Sequence, residues 1–127
     1  MYGLEGFTAF NFSEGVPYIS VTPNGITFNK SVTMKLGYPE YVQFLINAEQ
    51  KVVALRPCSQ EEENATVYFR PKQNGILSVR WNARDLINTL EFITGWNLKE
   101  STYRIDGQYL PELGVMIFEL AKAVELT

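Results

Sequence analysis

Four basic residues lie close together in the second half of the chain, with no acidic residue among them. The segment 65–84 contains Arg70, Lys72, Arg80 and Arg84. Clustered guanidinium and ammonium groups bind phosphate oxygens, and such contacts dominate the non-specific affinity of proteins for nucleic acids. With two lysines from the first half they form the candidate DNA-binding set, namely Lys30, Lys35, Arg70, Lys72, Arg80 and Arg84. The alternative is that these side chains are solvated strand edges and helix ends, where positive charge discourages aggregation.

Charge is distributed unevenly along an acidic chain. The 127 residues carry 11 Lys and Arg against 14 Asp and Glu, which gives a net charge of −3. Residues 16–84 nevertheless hold eight basic and five acidic residues, whereas residues 85–127 hold three basic and seven acidic ones. The protein therefore has the residues for one basic face, and its acidic C-terminal part is a candidate docking surface for a protein partner.

The composition excludes most catalytic chemistry. With no histidine and one cysteine, Cys58, the chain lacks His-based acid–base catalysis, the common nucleophile systems and nearly all zinc sites. Cys58 is followed by the acidic run 61–63, whose charge raises a thiol pKa. No Gly-rich phosphate loop occurs. We predict no enzymatic activity, no metal and no cofactor, and a site built on Tyr, Lys or Arg is the alternative that the composition leaves open.

The two tryptophans bracket a predicted helix. Trp81 precedes the segment 82–95 and Trp96 follows it. We expect both to pack across the helix ends as core. Stacking on nucleic-acid bases is the alternative for Trp81, because Arg80 and Arg84 flank it.

The first half has the pattern of two hairpins around a short helix. Residues 17–28 contain two β-branched and aromatic runs on either side of a turn. Asn29 is predicted to cap the helix and Gly37 to end it. Residues 42–46 and 52–55 form the second hairpin.

The same order of elements recurs after an acidic linker at 59–64. Strands are predicted at 66–69 and 76–81, around a turn. Asn74-Gly75-Ile76 lies fifty residues after Asn24-Gly25-Ile26, which indicates an internal duplication. The alternative is a non-repetitive α+β domain in which Asn-Gly recurs because both sites are hairpin turns.

The C-terminal part completes this second set of elements. Asn82 is predicted to cap a helix that Gly95 ends, and Asp106-Gly107 to form the tight turn of a hairpin. The last apolar run, Val115–Leu120, is predicted to be a strand. A helix over 113–126 is the alternative, because apolar residues there also fit a helical face.

The first half resembles the swapped-hairpin domain of AbrB-like proteins, a family of bacterial regulators. The segments that carry the resemblance are Gly25–Phe28, 29–37, Tyr41–Ile46 and Val52–Pro57. It implies a strand-rich α+β fold, with two pseudo-repeats of hairpin–short helix–hairpin that form an AbrB-like swapped-hairpin barrel. One copy cannot bury its own apolar faces, so the family needs two. Here residues 16–58 and 65–127 supply both halves of one domain, as a monomer with internal pseudo-symmetry or as a homodimer.

The resemblance implies a small, non-enzymatic DNA-binding transcriptional regulator. AbrB-like domains commonly bind DNA through basic residues near the glycine turn. This chain departs from that pattern in its first copy, because Thr22-Pro23-Asn24 carries no positive charge and Asn29 stands where the family often has proline. The second copy carries the basic residues instead. The alternative function is a protein–protein interaction module that kept the fold without DNA binding.

The N-terminus and the cysteine content indicate a compartment. The first residues contain Glu5 and no Lys or Arg, and no apolar run is long enough to cross a bilayer. A lone cysteine suits a reducing environment, so we predict a cytoplasmic protein without membrane association. Residues 1–15 are predicted to be an N-terminal arm whose Phe7, Phe10 and Phe12 pack on the domain, with a partner-binding aromatic motif as the alternative.

Overall fold

The computed structural model describes residues 3–9, 15–71 and 74–126 of the chain. This part is strand-rich α+β, with two α-helices and a short 3-10 helix at Leu120–Lys122. The strands and helices are β1 (Tyr18–Thr22), β2 (Gly25–Phe28), α1 (Lys30–Lys35), β3 (Tyr41–Asn47), β4 (Val52–Cys58), β5 (Thr66–Val67), β6 (Val79–Trp81), α2 (Arg84–Thr94), β7 (Thr102–Leu110), β8 (Val115–Glu119) and β9 (Val124–Leu126).

The described strands form one antiparallel sheet that curls into a half-barrel. Its strand order is β5-β3-β4-β8-β7-β1-β2-β6, and β9 adds to β7. The pairs β1–β7, β2–β6, β3–β5 and β4–β8 each join a strand of residues 16–58 to a strand of residues 65–127. The two halves therefore interleave within one sheet, and β5 and β6 lie at its two ends.

The core lies between the inner face of the sheet and the two helices. Ile19 and Val21 of β1 alternate with outward-facing polar residues and are fully buried, as strand periodicity requires. Val32 of α1 and Leu90 of α2 are also fully buried in the same apolar cluster. This alternation leaves the polar residues of β1 and β2 on the outer face.

Helix α1 begins and ends as the sequence predicts. The Asn29 Oδ1 atom accepts hydrogen bonds from the backbone N–H groups of Val32 at 3.3 Å and Tyr18 at 3.0 Å. Its Nδ2 atom donates to the Val16 carbonyl at 2.8 Å. Gly37, with a φ of 81°, follows the last turn. One asparagine thus joins the start of α1 to β1, and this fixes the position of the first helical residue beside the sheet.

The segment 113–126 is not a helix. Val115–Glu119 forms β8 and pairs with β4 and β7, which confirms the predicted strand. A 3-10 helix and β9 follow, so the helical alternative is wrong. The segment forms a strand because both of its edges pair with neighbouring strands. The hydrophobic periodicity of one segment cannot reveal such pairing.

The predicted turn at Asp106-Gly107 is wrong, since β7 runs through both residues. A Cβ atom on Gly107 would lie 2.7 Å from Cε1 of Phe118 and 3.0 Å from Sδ of Met116. The Gly107 N–H also donates to the Pro17 carbonyl at 2.8 Å, which extends the β1–β7 ladder. Glycine is present here because neighbouring side chains fill the space beside its backbone, and not because the chain turns.

The predicted strands 66–69 and 76–81 are shorter than expected. The Tyr68 N–H donates to the Glu40 carbonyl at 2.7 Å, and the Phe69 N–H donates to the Pro39 carbonyl at 3.1 Å. These bonds hold the chain after β5 alongside the segment that precedes β3. The chain therefore does not turn directly from β5 into β6.

The two Asn-Gly-Ile sequences occupy different environments. Ile26 is fully buried in β2, whereas Ile76 is 47 % exposed and lies outside the strands. Gly25 belongs to β2, and Gly75 lies in the loop before β6. The fifty-residue spacing therefore does not relate structurally equivalent positions.

The predicted Asn82 cap is also wrong. Ala83 precedes α2, and no side chain caps the helix there. Asn82 instead accepts a hydrogen bond on its Oδ1 atom from Nε of Arg80, at 3.1 Å. Gly95 does end the helix, with a φ of 78° and its N–H bonded to the Glu91 carbonyl at 2.8 Å.

The described part of the N-terminal arm does not pack on the domain. Residues 3–9 form neither strand nor helix and are exposed, and Phe7 is 69 % exposed. The prediction that Phe7 packs is therefore wrong, while Phe10 and Phe12 lie outside the described residues. Neither α-helix in the described part of the chain combines the length and hydropathy required to span a bilayer.

Candidate nucleic-acid interface

A row of polar side chains crosses the outer face of β7, β1, β2 and β6. The strand register places Arg104 opposite Ser20, Ser20 opposite Thr27, and Thr27 opposite Arg80. Adjacent strands lie about 4.8 Å apart, so the two arginine backbones are separated by roughly 14 Å with two hydroxyl groups between them. We call these four residues the outer row.

Arg80 is the most accessible cation of the outer row. Its Nη1 atom donates to Oγ1 of Thr27 at 3.3 Å, and its Nε atom donates to Oδ1 of Asn82 at 3.1 Å. The residue remains exposed, so the other N–H groups of the guanidinium face solvent. A guanidinium already oriented by neutral partners keeps its full charge for a phosphate.

Arg104 is more constrained and was missed by the sequence analysis. Its guanidinium carbon lies 3.8 Å from the centroid of the Tyr18 ring, and its Nε atom lies 3.2 Å from Oδ1 of Asp106. The aspartate offsets part of its charge. Successive side chains of a strand point to opposite faces of the sheet. Because Ile105 is buried on the inner face, the strand pattern of Thr102–Ile105 predicts that Arg104 points outward, and this is the sequence signal for Arg104.

Lys30 lies beside the outer row at the margin of an open groove. The groove has a volume of about 590 Å³. It is lined by Tyr18, Ser20, Thr27, Asn29, Lys30 and Gly75–Ser78. None of these residues is acidic, and several carry hydroxyl groups. Lys30 is exposed. The groove therefore combines its ammonium group with the hydroxyl groups of other lining residues, which are also hydrogen-bond donors.

A second cavity lies between the two ends of the sheet, and we call it the seam. It has a volume of about 250 Å³ and is lined by Val67–Arg70, Ile76 and Ser78–Trp81. Arg70 lies on the β5 side, where its Nε atom is 3.2 Å from Oε2 of Glu40. Hydrogen bonds to the Tyr41 hydroxyl and to Glu40 raise the pKa of Arg70. Because Glu40 offsets this charge, Arg70 is a weaker phosphate ligand than Arg80.

Two further predicted cations lie outside the groove. Arg84, the exposed first residue of α2, lines a separate depression together with Pro23 and Asn24 of the β1–β2 turn. Lys35 is half-buried at the other end of α1. Lys72 lies outside the described residues.

Four of the six predicted cations lie in three different places. Arg70 and Arg80 line the seam, and Lys30 lines the groove, which shares Ile76 and Ser78 with the seam. Arg84 lies apart from both cavities. Lys30 and Arg80 therefore line two adjoining cavities, and neither lining contains an acidic residue.

Both tryptophans pack inside the fold, as predicted. The centroid of the Trp81 ring lies 4.8 Å from that of Phe28 in an edge-to-face contact, and the indole N–H donates to the Val67 carbonyl at 3.1 Å. Trp96 stacks on Tyr103, with the two rings 4.4 Å apart and nearly parallel. Trp81 therefore makes these contacts within the protein, while the half-buried residue also lines the seam.

Cys58 has the raised pKa that the sequence predicts, although the main cause differs. Burial raises the pKa of the thiol most, the charge of Glu62 raises it further, and Arg56 lowers it. Below its pKa the thiol is mostly protonated and unreactive. We expect Cys58 to react with Ellman's reagent at neutral pH more slowly than free cysteine does.

Two variants test this cause directly. Glu62→Gln should accelerate the reaction of Cys58, and Arg56→Gln should slow it, because the two charges act in opposite directions. The measurement is the second-order rate constant across a pH series. A thiol that reacts as fast as free cysteine, or charge variants that shift the rate in the opposite directions, would contradict the prediction.

The described residues offer no other obvious site. Among them, no group of three His, Cys, Asp or Glu side chains is close enough to hold a metal ion. Their buried side-chain nitrogen and oxygen atoms all have hydrogen-bond partners. No family model, curated protein or solved structure matches this chain.

Proposed function

We propose that the protein is a small cytoplasmic DNA-binding regulator of AbrB-like type that performs no catalysis. The observation that carries this proposal is that Lys30 and Arg80 line two cavities that share Ile76 and Ser78, beside the hydroxyl groups of Ser20 and Thr27. Exposed cations beside small hydroxyl donors suit the phosphate backbone, which accepts hydrogen bonds from both kinds of group.

The strand pairings support the AbrB-like part of the proposal. Exchanging β1 with β5, β2 with β6, β3 with β7 and β4 with β8 converts the β1–β7 pair into β5–β3, and β3–β4 into β7–β8. The same exchange maps β2–β6 and β4–β8 onto themselves, whereas β1–β2 maps onto β5–β6, which do not pair. Such interleaving is what two swapped hairpin copies in one chain would produce. It favours a monomer with internal pseudo-symmetry over a homodimer.

Contacts of this kind position a protein on DNA without selecting a sequence. Lys30 and Arg80 would neutralise phosphates, and the hydroxyl groups of Ser20 and Thr27 would donate to the same backbone. Each phosphate contact releases condensed counterions, so binding should weaken steeply as salt is added.

Fluorescence anisotropy of a labelled mixed-sequence duplex tests the proposal. We expect wild-type binding to weaken between about 50 and 200 mM salt, and Lys30→Ala/Arg80→Ala to reduce the slope of log K against log salt by about two. Lys122→Ala is the matched control, because Lys122 is exposed, lies 3.4 Å from Glu119 and lines neither the groove nor the seam. This control should leave the slope unchanged.

Two outcomes would contradict DNA binding by this face. One is the absence of binding at low salt. The other is binding that Lys30→Ala/Arg80→Ala and Lys122→Ala weaken equally, since general attraction to net charge would then explain it.

A further inference from the structure

We propose that the seam between β5 and β6 binds an acidic peptide in an extended conformation, which adds to the sheet as a further strand. This would give the protein a peptide partner in addition to any DNA. The inference does not depend on DNA binding.

The edges of β5 and β6 that face the seam have no strand partner. In the described chain β5 pairs with β3 alone and β6 with β2 alone, and they are the two ends of the strand order. An edge strand presents N–H and C=O groups that a further strand is able to satisfy. The Val67 carbonyl of β5 already accepts the Trp81 indole N–H, so an added strand would bond mainly to β6. Main-chain hydrogen bonds of this kind supply affinity in strand addition, while side-chain pockets supply specificity.

The chain that follows β5 forms its backbone hydrogen bonds with the segment before β3 and not with β6. A two-residue turn, Pro23-Asn24, joins β1 to β2 and keeps them paired. After β5, the Tyr68 and Phe69 N–H groups donate to the Glu40 and Pro39 carbonyls, which precede β3. Within the described chain β5 and β6 form no backbone ladder with each other, and the side-chain hydrogen bond from the Trp81 indole N–H to the Val67 carbonyl crosses the seam at 3.1 Å.

The lining of the seam defines the chemistry of its occupant. Val67, which is 39 % exposed, and Ile76, which is 47 % exposed, offer apolar contacts at the opening. Arg80 provides positive charge, Arg70 adds charge that Glu40 partly offsets, and none of the described lining residues is acidic. An extended chain alternates its side chains between two faces, so a peptide that alternates apolar and acidic residues matches both features.

The test uses the full-length protein and a fluorescein-labelled peptide of alternating Val and Glu. The matched control peptides carry Lys in place of Glu, or a central Pro that removes a backbone donor. We expect the Val–Glu peptide to bind and both control peptides to bind at least about tenfold more weakly.

Protein variants assign the binding to the seam. Val67→Asp places an acidic group in the lining, and Arg80→Glu reverses a charge there, so each should weaken Val–Glu peptide binding by about tenfold or more. Arg84→Glu makes the same change on an exposed cation outside the seam and should leave peptide binding unchanged. Thermal unfolding of each variant controls for loss of fold.

The outcomes separate this inference from DNA binding. Lys30→Ala should weaken duplex binding and leave peptide binding intact, whereas Val67→Ser, which removes the apolar contact without adding a charge beside Arg80, should weaken peptide binding and leave duplex binding intact. Failure of the Val–Glu peptide to bind, or binding insensitive to both Val67→Asp and Arg80→Glu, would overturn the proposal. If the wild type dimerises and Val67→Asp abolishes the dimer, the seam binds a second copy of the chain, and the peptide proposal is also overturned.

Discussion

Replacement of Gly25 by alanine is expected to reduce the free energy of unfolding by about 3 kcal/mol or more. A Cβ atom at this position would lie 2.3 Å from the carbonyl oxygen of Trp81 and 3.2 Å from its carbonyl carbon. The φ of Gly25 is 155°, which residues with a side chain rarely adopt. The obstructing atoms belong to the backbone of β6, so the clash cannot be relieved without displacing the β2–β6 pair.

Gly37→Ala is the matched control for this change. Gly37 also has a positive φ, 81°, but a Cβ atom there meets open space. Gly37→Ala should therefore reduce the free energy of unfolding by only about 1–2 kcal/mol, from backbone strain alone. Urea denaturation followed by circular dichroism measures both values. Equal losses for Gly25→Ala and Gly37→Ala would contradict the close approach of β2 and β6.

Phe28→Ala is expected to reduce the free energy of unfolding by about 3–5 kcal/mol. Phe28 is fully buried, and its ring lies 5.4 Å from that of Tyr68 and 4.8 Å from that of Trp81, centroid to centroid. Removing it would leave a cavity between the sheet and the residues that line the seam. Because Trp81 would lose its nearest ring, its fluorescence should also change.

Phe92→Ala makes the same chemical change at a solvated position. Phe92 lies on α2 and is 90 % exposed. Its removal should alter stability by no more than about 0.5 kcal/mol. If the two phenylalanine variants unfold at the same denaturant concentration, the position of Phe28 at the centre of the core is wrong.

Local signals were sufficient to predict most of the first half. The β1–β2 hairpin, the Asn29 cap and the Gly37 terminus depend on residues within a few positions of one another. Turn and capping chemistry acts at this range, so the sequence carries it directly. The strand at Val115–Glu119 was also correct, although its alternative was rejected only by its pairing partners.

The errors have a common physical origin in contacts between distant residues. Gly107 resembles a turn residue in sequence, yet its role is set by Phe118 and Met116. Asn82 has the chemistry of a helix cap, but Arg80 occupies its side chain. The strand predicted over 76–81 forms only from Val79, and the strand predicted over 66–69 ends at Val67, after which the chain is bonded to the segment before β3. None of these interactions leaves a periodic signal in the sequence.

The candidate site was only partly predictable for the same reason. Composition identified Lys30 and Arg80 as phosphate-binding candidates, but the fold brings their surfaces together through the β2–β6 pairing, whose two strands are separated by fifty residues of the chain. Charge counting could not show that Glu40 offsets Arg70, nor that Arg104 shares the outer row with Arg80. Strand register, which the sequence does not specify alone, decides each of these relationships.

The most direct test of DNA binding by the outer face is an NMR titration of the ¹⁵N-labelled protein with a short duplex at low salt. We expect the largest amide shifts at Thr27, Lys30 and Arg80 and their strand neighbours, with fast exchange and loss of the shifts on adding salt. Shifts confined to the 3-10 helix and β9, or an unchanged spectrum at saturating duplex, would contradict it.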